Sequence, residues 1–142
     1  MRELVLFYSY SGNTKKIAEK FSQDNNFDIC EVIDIKRPNK LAAYTVGIVK
    51  VIKGSGRKIK SLTINGNDVK FEDYDIINVF SPVWAGHITP SMVSALKLFP
   101  QGTKIKLFMV SASGESGKDS MTKRIQDMGL GLEIIKYEDI KS

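Results

Sequence analysis

The feature that most constrains this chain is an alternation of strand-like apolar runs with helically spaced apolar stripes, sustained over its 142 residues. Leu4–Tyr8 reads as a buried strand, and Thr14–Ser22 as a helix with Ile17, Ala18 and Phe21 on one face. Ile29–Ile35 is a second strand. Leu41, Tyr44, Ile48, Val51 and Ile52 recur at helical spacing up to the stop at Gly54-Ser55-Gly56. Leu62, Ile64, Val69 and Phe71 alternate around Asn65-Gly66, a hairpin signal. Ile76–Phe80 is the third strand of the main series. Thr89-Pro90 then opens a helix carrying Val93, Leu96 and Phe99. Lys104–Val110 is a fourth strand, Met121, Ile125 and Met128 mark a fourth helix, and Leu132–Tyr137 is a fifth strand.

Alternation of this kind requires right-handed crossovers. It predicts an α/β fold with a doubly wound, five-stranded, mostly parallel sheet in the order 2-1-3-4-5. The length suits one domain over 1–142 and excludes a two-domain dehydrogenase. Only Glu138–Ser142 follow the fifth strand, about one turn if helical, so the terminal helix is missing or very short. The face over strands three to five, from Ile76 and Phe80 through Leu107–Val110 to Ile134 and Ile135, would then lie open. Two chains packing these faces together, a longer natural protein or another protein would cover the strip, and a homodimer is the favoured expectation.

The single cysteine, Cys30, excludes an internal disulfide and a cysteine-based zinc site, and with no secretory signal or membrane-length apolar run the expected setting is the cytoplasm. Charge is uneven. Between Lys36 and Lys70 nine basic residues face one acid, Asp68, giving +8 in a chain whose total is +5. This is either a solvated face or a docking surface for an acidic partner. Nucleic acid is not indicated, since no aromatic-interleaved RNA motif accompanies the charge.

In a doubly wound sheet, ligands sit outside the carboxyl ends of the strands, so the loops after strands one, three and four matter. The first is Ser9-Tyr10-Ser11-Gly12-Asn13-Thr14. Its hydroxyls and the following helix N-terminus suit a phosphate without a basic side chain, or an ordinary N-cap. The second is Ser81-Pro82-Val83-Trp84-Ala85-Gly86-His87, with the only tryptophan and the only histidine. Trp84 is either core or a stacking plate for a planar ring. His87 is a solvent-facing side chain, a backbone-level contact or an acid–base group. The third, Ser111-Ala112-Ser113-Gly114-Glu115-Ser116-Gly117, offers backbone amides to a ring edge or is a flexible connection.

Taken in order, these three loops resemble those of the flavodoxins. The resemblance implies that Ser9, Tyr10, Ser11, Gly12, Asn13 and Thr14 surround the phosphate of FMN. It implies that Pro82, Val83 and Trp84 flank the isoalloxazine and that Ala85, Gly86 and His87 line its redox-active edge. Ser111, Ala112, Ser113 and Gly114 would hold the pyrimidine end. It further implies noncovalent FMN and electron transfer with redox partner proteins. An FMN-dependent NAD(P)H or quinone reductase is the alternative, and a flavin-free binding module on the same fold is a third reading. The chain departs from many flavodoxins in being basic and in lacking a third-loop tyrosine.

Overall fold

The computed structural model describes residues 2–35 and 58–142. The expected helix over Leu41–Ile52, its Gly54–Gly56 stop and the basic residues Lys36, Arg37, Lys40, Lys50, Lys53 and Arg57 lie outside the described residues.

Strands β1 (Glu3–Phe7) and β2 (Asp28–Glu31) flank helix α1 (Asn13–Asn25). Two short strands, β3 (Thr63–Ile64) and β4 (Asn67–Asp68), form the hairpin around Asn65-Gly66, both with positive φ as a two-residue turn requires. Then come β5 (Ile76–Trp84), β6 (His87–Ile88), α2 (Pro90–Leu96), β7 (Lys104–Ser111), α3 (Lys118–Asp127) and β8 (Glu133–Lys141). The parallel sheet runs β2-β1-β5-β7-β8, which is the expected order 2-1-3-4-5.

Burial follows from strands that are apolar on both sides. Leu4, Leu6 and Tyr8 of the first strand and its continuation pack with α2 and α3 through Met92, Leu96, Met121 and Ile125. Val5 and Phe7 point the other way, toward Ala18, Ile17 and Phe21 of α1.

Several sequence expectations are corrected. β2 ends at Glu31, well short of Ile35, although the chain pairs once more at Asp34 with Ile59. β5 does not stop at Phe80. It continues to Trp84, pairs with β7 as far as Pro82 opposite Val110, and turns through Ala85-Gly86 into β6. Ser81–Trp84 is therefore strand rather than loop. Thr89 precedes α2 in extended conformation but makes no capping bond, its hydroxyl lying 3.3 Å from that of Ser81. Glu138–Lys141 is strand rather than a helical turn.

The α1-side face of β5, β7 and β8 is not the bare apolar strip expected. Phe80 and Phe108 stack at 4.4 Å, and Phe21 reaches across from α1 to within 5.2 Å of each ring. Farther out, Lys106 pairs with Glu3 at 3.6 Å, Lys136 pairs with Glu138 at 3.4 Å, and the Lys136 ammonium lies 5.8 Å from the Phe108 ring. One aromatic and a set of charged side chains thus leave Phe80 and Phe108 buried.

Candidate functional site

The site lies where β1, β5 and β7 end together. Tyr8 donates its amide to the Phe80 carbonyl at 3.1 Å, so the first loop starts beside the projecting half of β5. Gly12 is the N-cap of α1 with φ +102°, a conformation that strains any residue bearing a Cβ, and its amide donates to Ser9 Oγ at 3.0 Å. As a glycine, Gly12 brings no side-chain cap to the helix start. Among the described residues the amides of Asn13, Thr14 and Lys15 form the first turn without a side-chain cap. This turn carries Lys15, with Lys16 next, and no acid. A helix dipole favours the opposite sign there, so the charge arrangement suits an anion held against it. Ser9 and Thr14 are buried, whereas Ser11 and Asn13 are exposed.

The second region is a hairpin that overhangs the first. Trp84 meets Tyr10 edge to face at 6.0 Å and Tyr8 at 6.2 Å. Loops one and two are thus joined through aromatic contact, with Trp84 half-buried. The two-residue turn puts Ala85 at φ 50° and Gly86 at φ 75°. Glycine accepts this readily, and alanine at some cost. His87 faces Trp84 across the turn and is held from outside by Arg124 of α3, whose Nη1 lies 2.9 Å from Nδ1 and also contacts Nε2. Burial, and secondarily the Arg124 charge, lower the His87 pKa below its ordinary 6.5.

Behind this surface is a buried polar node that the sequence did not single out. Tyr8 Oη donates to Asp34 Oδ2 at 2.7 Å, and Ser91 Oγ donates to Asp34 Oδ1. Asp34 is 6% exposed. It ties the end of β1 to the start of α2, directly under Trp84.

The third loop is fastened to β8 rather than being a loose connection. Ser111 Oγ accepts from the Gly114 amide and Ser113 Oγ from the Glu115 amide, both at 3.1 Å. The Ser116 amide donates to Asp139 at 3.1 Å, and its hydroxyl contacts Asp139 and Tyr137. Ala112 and Ser113 are exposed at the rim. Ser111 directly follows Val110, the partner of Pro82, so the loop leaves the same sheet edge as the hairpin.

The first and second loops therefore come into contact, and the third flanks them. Arg124, Tyr8, Asp34 and Ser91 are the residues missed. Arg124 sits seven residues beyond the third loop and reaches the hairpin because helical side chains lean toward the N-terminus of their helix. Among the described residues no group of His, Cys, Asp and Glu is placed to hold a metal ion, and no helix is long and apolar enough to cross a membrane.

No protein-family model matches the sequence, and neither does any curated protein. Solved structures do match. A flavoprotein in complex with FMN from Lactobacillus acidophilus NCFM has TM-score 0.78 and 25% identity, covering 96% of this chain and 91% of that one. A flavodoxin, WrbA-like protein from Agrobacterium tumefaciens has TM-score 0.53 and 14% identity, covering 99% and 85%. A flavodoxin from the domain Archaea has TM-score 0.53 and 16% identity, with the same coverage. The fold is flavodoxin-like.

Proposed function

We propose that the chain binds FMN noncovalently at the carboxyl ends of its strands and serves as an electron-transfer protein. The observation that carries this is the start of α1: a left-handed Gly12, no side-chain cap, and a first turn bearing a lysine and no acid. A turn of that sign without a side-chain cap suits a terminal phosphate dianion. Ser9, Tyr10, Ser11, Asn13 and Thr14 would surround it. Pro82, Val83 and Trp84 would flank the ring, Ala85–His87 its edge, and Ser111–Gly114 its pyrimidine end. The FMN complex of the Lactobacillus flavoprotein supports the choice of cofactor. The flavin supplies the redox chemistry, and the chain binds and orients it. Redox partner proteins of acidic surface would suit the basic chain.

Titrating the protein with FMN and with riboflavin tests the assignment, using Trp84, the only tryptophan, as reporter. FMN should quench its emission. Thr14→Ala should weaken FMN by about 0.5–1.5 kcal/mol and riboflavin much less, because riboflavin lacks the phosphate. Equal losses for the two ligands would remove the phosphate site. A second reading, an FMN-dependent NAD(P)H or quinone reductase, gains from the absence of any aromatic in Ser111–Gly117, which leaves room over the ring for a substrate. Bleaching of the yellow protein by NADPH alone selects it.

A further inference from the structure

We propose that Arg124 is a positioning residue of this site: it holds His87 as a neutral imidazole at the hairpin tip and itself supplies a permanent positive charge at the site's edge. The inference rests on the FMN reading above and adds to it a control of which redox form of the ligand is preferred.

Arg124 Nη1 lies 2.9 Å from His87 Nδ1 and also contacts Nε2. A guanidinium only donates hydrogen bonds. The neutral ring carries a lone pair and no charge and so accommodates that neighbour, whereas protonating His87 would put N–H on both nitrogens and set two cations together. Burial acts in the same direction. The other neighbours do not compensate. Trp84, its cross-strand partner on β5, does not titrate, and on α3 Lys123 is held by Asp127 at 2.9 Å.

The consequence concerns the ligand. A histidine alone would alternate between charge states near neutral pH. The pair does not, because arginine stays protonated at any pH the fold survives. Were a bound flavin ring reduced to its anion, a fixed cation at the edge of the site would favour that form over the oxidised one.

Two measurements test this. The first is proton NMR titration of His87, the only histidine, in the ligand-free protein. Its midpoint should fall below 6.5 and should rise in Arg124→Gln. A midpoint unmoved by the substitution overturns the inference. The second is anaerobic titration with oxidised FMN and with dithionite-reduced FMN. Arg124→Gln should lose about threefold to tenfold of the preference for reduced FMN, and Arg124→Lys, which keeps the charge, should retain most of it. An unchanged preference in Arg124→Gln also overturns the inference while leaving FMN binding intact. A wild-type chain that binds neither form overturns the functional reading itself, and this inference with it.

Discussion

Asp34 shows how much a single residue can organise. It is buried between two hydroxyl donors that come from 26 and 57 residues away in sequence, Tyr8 and Ser91. Read in one dimension it is a polar interruption between Ile33 and Ile35. Its importance exists only once strand and helix have met, which is why it was not legible. Asp34→Ala removes the acceptor of both hydroxyls and should cost about 1–3 kcal/mol of stability. Because Tyr8 packs against Trp84, the same change should shift tryptophan emission in the folded protein. Urea melts read by fluorescence check both, and an unchanged midpoint with unchanged emission would leave Asp34 without a structural role. Ser9 and Thr14, by contrast, lie where the sequence puts them, in the loop after β1 and at the start of α1, because residue type and position relative to a strand end suffice for a loop built from consecutive residues.

At the scale of elements, Phe21 covers part of the α1-side face of β5 and β7. It touches Phe80 and Phe108 from α1, on the side where the charged ends of Lys106, Lys136 and Glu138 close the rim. Phe21→Ala should destabilise by about 2–3 kcal/mol, less than a fully buried phenylalanine, and should raise binding of a hydrophobic dye. A dye signal equal to that of wild type would mean the face has another cover. The expectation of an open strip arose because period-two reasoning counts apolar positions along a strand but cannot see a long side chain arriving from a helix. The second hairpin escaped for a different reason. Asn65-Gly66 announces its turn by composition, whereas Ala85-Gly86 places an alanine at φ 50°, and Pro82 reads as a strand breaker. Pairing with β7 overrides that local signal, so Ser81–Trp84 looked like loop. The order of the main strands was legible from alternation, handedness and the doubly wound order that five strands fit.

For the molecule as a whole, two groups tie stability to alkaline pH. Burial pushes the Cys30 thiol up from 9.0 to about 11, partly offset by a backbone hydrogen bond from Thr63. Burial, followed by the hydrogen bond to Asp28, raises Tyr74 from 10.0 to about 12. Both groups hold their protons more tightly folded than unfolded. Their contribution is therefore complete below their ordinary values and is lost as pH rises through the folded ones. For Cys30 the window runs from 9.0 to about 11, and the loss amounts to about 2–3 kcal/mol. Denaturation midpoints followed upward from neutral pH should fall across it, and Cys30→Ala should flatten that fall. An equally steep fall in the variant would assign the effect to other groups.

The fastening of the third loop also decides how the molecule can be handled. The amide of Ser142 donates to the Ser111 carbonyl at 2.9 Å, so the last residue of the sequence lies at the rim of the candidate site. Arg2 sits at the other end of the sheet, its carbonyl accepting from Asp75 at 2.8 Å. A surface tether attached beyond Ser142 would press the candidate site against an electrode, and one attached ahead of Arg2 would present it to the solution. Two immobilised films of the same protein, differing only in which terminus is anchored, would differ in how fast current passes through them.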